Sequence, residues 1–206
     1  MIEISSLDPG IGYVTCGFGS IYGVEYKFEV KSIEFLLYCR DIAEYISSYI
    51  QNGNKISHNE TVNLGMWSLI AKRMGGYISF YEYNDDVNDY VPGINTSAGV
   101  WGEQRRFCDE HKLLFCPPRP DQLIVITPNA LSGKICEGAR YSSEDHMSGW
   151  WILSDDYDEG DTSNLRLIHP LHLSIRSINF TKYLAMPEGY CFDERSGEIF
   201  FDESVL

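Results

Sequence analysis

Ser148-Gly149-Trp150-Trp151-Ile152-Leu153-Ser154, running directly into Asp155-Asp156-Tyr157-Asp158-Glu159-Gly160-Asp161, is the stretch on which the reading of this chain turns. A short aromatic and apolar run, entered by glycine and left through acids, reads as a strand that ends in a loop. Side chains alternate across a strand, so only one of Trp150 and Trp151 can be buried on a given face. One faces the core and the other covers the sheet. Upstream, Leu123-Ile124-Val125-Ile126 has the apolar continuity of a short buried strand. Residues 133–141 read as another, reaching a polar turn at Ser142-Ser143-Glu144-Asp145. Downstream, His169-Pro170-Leu171-His172 suits a short helix start with proline in the first turn. Tyr190-Cys191-Phe192-Asp193 and Glu198-Ile199-Phe200-Phe201 close the chain as strands around Arg195-Ser196-Gly197. The second half is therefore expected to be an antiparallel-sheet domain with short helices.

Just before this domain stands Cys116-Pro117-Pro118-Arg119-Pro120-Asp121. Three prolines in four positions cannot continue a helix and favour a stiff, extended connector. The expected division is a module over 1–116, a connector over 117–121 and a second module over 122–206. The first module reads as mixed α and β, so the fold class is α+β in two small parts. Ile21 to Val30 is strand-like. After Ser32, apolar residues at Phe35, Cys39, Ile42, Ile46 and Tyr49 make a helical stripe that stops at Asn52-Gly53. Ser57-His58-Asn59-Glu60 matches a capping box, and Val62, Met66, Ile70 and Met74 at intervals of four predict a second helix ended by Gly75-Gly76. Tyr77 to Tyr83 alternates as a strand, broken by Asn84-Asp85-Asp86. A third helix is expected around residue 100, with Val100, Gln104, Phe107, Cys108 and His111 on one side.

Composition sets the class. The 206 residues are 44 % hydrophobic and 14 % aromatic, enough apolar material for a packed core. No apolar run approaches the roughly 18 residues of a membrane span, and the N-terminal stretch from Met1 to Pro9 lacks the basic start and apolar middle of an export signal. The expected location is the cytosol, with the six scattered cysteines as free thiols. Net charge is −14. Residues 121–206 hold 15 acids against 6 bases, so the acidity is concentrated there. A field of that sign repels nucleic acid and anionic membrane and steers basic partners inward; it also serves solubility alone.

Chemistry-bearing patterns fail one after another. An EF-hand begun at Asp156 places Gly160 at position 5 and Leu167 at position 12, where acids are needed. His169 and His172 share a helical face but lack a third ligand, and Cys108, His111 and Cys116 lack a fourth. Gly17-Phe18-Gly19-Ser20-Ile21-Tyr22-Gly23 misses the spacing of a dinucleotide loop and carries no Walker lysine. No GxSxG elbow occurs, and Arg105-Arg106 sits among Glu103, Asp109 and Glu110 as a mixed helix surface. No catalytic residue, metal site or cofactor is expected. The acidic loop is either a solvated connection or a surface that presents carboxylates to a basic partner.

Over residues 121–206 the order of these features resembles the Immunity protein 33 domain family. The resemblance rests on the apolar strand at 123–126, the Ser148-Gly149-Trp150 turn leading into Trp151-Ile152-Leu153-Ser154, the acidic stretch Asp155 to Asp161, and Tyr183-Leu184, Pro187, Gly189 and Phe192-Asp193-Glu194. Trp151 stands where that family often carries a basic residue. The resemblance implies a bacterial immunity protein, of the kind found beside polymorphic, contact-dependent or type VI secretion toxins. It would bind and occlude a cognate toxin without catalysis. A basic toxin would be met by Trp151, Asp155, Asp156, Tyr157, Asp158, Glu159 and Asp161, because carboxylates give fast association and aromatics give dry contacts. Two other classes stay open: an enzyme that reverses the toxin's modification, which requires a pocket of converging polar groups, and a general interaction or regulatory module.

Overall fold

The computed structural model describes residues 3–176 and 178–206; Met1 and Ile2, which open the stretch read for an export signal, lie outside the described residues, as does Ser177. The chain forms two compact units. The first comprises the chain as far as Leu64 together with Ser68–Gly102, and the second comprises Gly65–Trp67 and Glu103–Leu206.

In the first unit the elements are β1 (Glu3–Ser6), β2 (Gly12–Cys16), α1 (Phe18–Tyr22), β3 (Glu25–Glu29), α2 (Leu36–Gln51), β4 (Thr61–Leu64), β5 (Trp67–Met74), β6 (Tyr77–Tyr83), β7 (Tyr90–Pro92) and the start of α3 (Asn95–His111). The sheet runs β1-β2-β3-β6-β5-β4, with β7 beside β6. The α2 stripe buries Cys39, Ile42, Ala43, Ile46 and Ile50. The Ser32 hydroxyl accepts from Glu34 N in the 3-10 turn that leads into the helix. Of the five residues read onto one side of α3, Val100, Gln104 and Cys108 are buried, Phe107 is half-buried and His111 is exposed.

Two expectations are corrected. Ile21–Val30 is not one strand, because Ile21 and Tyr22 end the short helix α1. Gly23 at φ 81° terminates that helix, and the Glu25 carboxylate ties down its start by accepting from Gly17 N and Gly19 N at 2.9 and 2.7 Å. The helix predicted over Val62–Met74 is two strands, β4 and β5, with Gly65 at φ 54° between them. A spacing of four is also a multiple of two, so the 62/66/70/74 series did not discriminate helix from strand. In β5 it is the odd positions Trp67, Leu69 and Ala71 that are buried. The Glu60 carboxylate does accept from Ser57 N, at 2.5 Å, but the contact closes a turn ahead of β4.

The second unit holds β8 (Leu123–Ile126), β9 (Glu137–Arg140), β10 (Met147–Leu153), β11 (Arg166–Ile168), α4 (Pro170–Arg176), β12 (Tyr190–Asp193) and β13 (Glu198–Phe201). Its sheet runs β11-β8-β10-β9-β12-β13. All its pairs are antiparallel except β8 with β10, which are parallel. The architecture is α+β in two parts. The proline-rich stretch 117–120 falls inside this unit and is held there: Cys116 N donates to Ala185 O at 2.8 Å, and the Arg119 guanidinium pairs with Asp145 at 2.8 Å.

Side chains on one face of this sheet make the core. Trp150, Ile152 and Phe192 are buried there under the 3-10 segment Ile178–Ala185. Tyr183 stacks on Phe192 at 4.2 Å, and the Trp150 indole donates to Leu184 O at 3.0 Å. Among the described residues no helix is long and apolar enough to cross a membrane.

Candidate functional site

The Ser148-Gly149-Trp150 turn decides which face each tryptophan takes. Ser148 Oγ donates to Leu123 O at 2.9 Å and accepts from Trp150 N at 3.2 Å, locking β10 to β8. Gly149, at φ 80°, lies within the register shift between Met147 and Trp151. Past that bulge the strand alternates regularly. Trp150 is buried and Trp151 is half-buried on the opposite face.

Register carries Trp151 across the sheet. It pairs with Ala139, which pairs with Cys191, which pairs with Phe200. The next row on that face is Leu153, Glu137, Asp193 and Glu198. All of these residues but Glu198 line an open groove of about 710 Å³. Tyr141, Tyr157, Glu159, Asp202 and Val205 also line it. The Tyr141 ring meets Trp151 edge to face at 5.9 Å between centroids.

Charge in the groove is mostly negative. Arg195 pairs with Glu137 at 3.0 Å and with Asp193 at 3.2 Å. The Asp202 carboxylate accepts from Ser204 N at 2.8 Å. The Arg195 hydrogen bond holds Asp193 below the usual carboxylate range, and the Ser204 hydrogen bond does the same for Asp202. On the floor, burial and then Asp202 and Glu137 push the Cys191 thiol up. Burial also raises the Tyr141 phenol, with Cys191, Tyr157 and the same two carboxylates adding to it. A thiol so placed stays protonated, the reverse of an activated nucleophile.

Of the seven residues expected to meet a partner, Trp151, Tyr157 and Glu159 line the groove. Asp155, Asp156, Asp158 and Asp161 do not; they build the loop. Asp155 accepts from the Cys136 thiol at 3.2 Å, and Asp156 from the Ser154 hydroxyl. Asp158 accepts from Gly160 N at 2.8 Å and Asp161 from Ser163 N at 2.9 Å. Sequence reasoning missed Glu137, Tyr141, Phe200 and Asp202. They join Trp151 only through strand pairing, and that register is not legible in the sequence.

Other candidates resolve into local structure. The His169 and His172 rings lie 6.3 Å apart, with His169 Nδ1 at 3.2 Å from Gln122 O. Cys108 is buried, its thiol pushed up to about 11 chiefly by burial. Arg106 pairs with Glu103 and Glu110 along α3. Among the described residues no three His, Cys, Asp or Glu side chains stand as a metal-holding group.

Residues 103–202 match the family model of the Imm33-like domain. That span begins where the second compact unit resumes, at Glu103, and contains most of the groove. No curated protein and no solved structure matches the chain.

Proposed function

We propose that this chain, whose residues 103–202 match the Imm33-like domain, is a cytosolic bacterial immunity protein that binds a cognate toxin and occludes it without catalysis. The observation that carries the reading is the open face of the second sheet. Its other face is packed by the 3-10 segment and core aromatics, while this one leaves Trp151, Tyr141 and Phe200 partly exposed among carboxylates. Interface hot spots concentrate in tryptophan, tyrosine and arginine set in pockets. A surface with three aromatics and an acidic rim fits a basic protein, and it demands complementarity rather than turnover.

The experiment is affinity capture from the native bacterium with the full chain as bait, followed by co-expression of the captured protein. One stoichiometric partner that kills cells alone, and is neutralised by this chain, is the expected result. A partner whose covalent modification is removed by catalytic amounts of the chain would overturn the occlusion mechanism. Capture of a partner that is not toxic would overturn the immunity role.

A further inference from the structure

We infer that β13, the last strand of the second sheet, is extended by one strand of the protein partner. The added strand lies antiparallel to it, with an apolar side chain opposite Phe200 and basic ones opposite Glu198 and Asp202. The inference rests on the proposed function for who the partner is, and on the sheet edge for how it docks. Antiparallel pairs alternate between positions that exchange backbone hydrogen bonds and positions that do not. Asp202 N donates to Gly189 O at 2.9 Å, one step beyond the pair Tyr190 and Phe201, so the bonded positions toward β12 are 198, 200 and 202. The N–H and C=O groups of Ile199 and Phe201 therefore point out of the edge, where no strand follows among the described residues. Natural edges are commonly blunted by lysine, proline or a bulge. Ile199-Phe200-Phe201 has none of these, and its two phenylalanines are 48 % and 49 % exposed. The opposite edge, β11, is three residues long and carries Arg166.

The charges flanking this edge select the occupant. Side chains 198, 200 and 202 share the groove face, where Phe200 ends the row that begins at Trp151. An added strand continues that row. A second copy of this chain fits poorly. The two-fold register that engages both Ile199 and Phe201 centres on Phe200, and it sets Glu198 opposite Asp202 twice. Like charges directly opposite are destabilising. A partner strand reading basic-x-apolar-x-basic meets the same three positions with opposite charge at its ends and an apolar contact between them. Its backbone completes the open N–H and C=O groups of Ile199 and Phe201, which is where the affinity of strand addition comes from.

The test is NMR titration and amide hydrogen exchange of the full-length 15N-labelled protein with acetyl-Gly-Lys-Val-Phe-Val-Lys-Gly-amide, whose pattern is the same in both directions. Two controls accompany it: the peptide with glutamate for both lysines, and the peptide N-methylated at both valines, which face Ile199 and Phe201. In the free protein the Ile199 and Phe201 amides should exchange quickly. The lysine peptide should shift them saturably and slow their exchange. The glutamate peptide should bind about fivefold more weakly at low salt, and the N-methylated peptide should not bind. Glu198→Lys, at an exposed position, should erase the preference for lysine over glutamate. No saturable shift, equal binding of either control, or an unchanged lysine preference in Glu198→Lys would overturn the inference. Slow exchange of both amides in the free protein, slower still at higher concentration, would give the edge to a second copy and overturn it as well. If a captured toxin leaves the two amides exchanging quickly in the complex, the edge inference falls and the immunity reading stands. If the captured partner protects them and is not toxic, the immunity reading alone falls.

Discussion

Trp150 and Trp151 are neighbours on β10 that serve opposite faces of one sheet: the first is wholly buried, its indole N–H spent on Leu184 O, and the second opens onto the groove. A single residue step thereby separates a core position from a groove position. Trp150→Ala should cost about 3–5 kcal/mol, the range for emptying a fully buried aromatic site. Trp151→Ala should cost no more than about 1.5 kcal/mol, since much of its surface is already wet, yet it should lose the partner. Chemical denaturation of both variants, with affinity capture of the partner, checks this. Comparable destabilisation by the two would contradict the assignment of faces.

Gly149 is required by geometry. A Cβ there would stand 2.1 Å from Tyr141 O, on a backbone already at φ 80°. Gly149→Ala should destabilise the protein by about 2 kcal/mol or more. Because the bulge sets the phase of β10, Trp151 should also become more exposed, read as a red shift of its fluorescence.

Arg140 is a buried cation held by carbonyls. Its Nε donates to Ser148 O at 3.1 Å and its Nη1 to Cys116 O and Met186 O, with the guanidinium 5.9 Å from the Trp150 ring. Burial pushes its pKa down. The side chain thus ties three separate segments of the second unit together. Arg140→Met should cost about 3 kcal/mol, because it strands buried carbonyl oxygens. A smaller loss in Arg140→Lys would show that charge matters more than the fork of donors; equal losses are the expected result.

Acid should loosen the groove rim. Asp193 and Asp202 have folded-state pKa values held down by Arg195 and Ser204 respectively. A depressed carboxylate contributes stability that is present above its unfolded pKa, about 3.9, and is lost as pH falls through the lower folded value. The urea midpoint should therefore hold between pH 7 and about 5, then drop on further acidification. In Asp193→Asn and Asp202→Asn that drop should be shallower; a parallel fall in wild type and variants would refute it.

Much of the fold follows from local pattern. The Cys39–Ile42–Ile46 stripe, the pattern of Tyr77–Tyr83 and the strands at 123–126 and 190–193 are single-element signals that the structure realises as read. The family resemblance likewise lives in contiguous residues around Ser148-Gly149-Trp150. The segment from Val62 to Met74 shows the limit: its spacing suited both periods, and sheet pairing with Tyr77–Tyr83 decided for strand. Tertiary structure alone decided the site. Glu137, Trp151, Cys191 and Phe200 lie far apart in the chain and meet only because four strands pair in one register. The run of aspartates was legible in the sequence, and in the structure Asp156, Asp158 and Asp161 each accept a hydrogen bond within their own loop. Sequence records which residues are present in order; register, a property of strands paired across distance, selects which of them share a face.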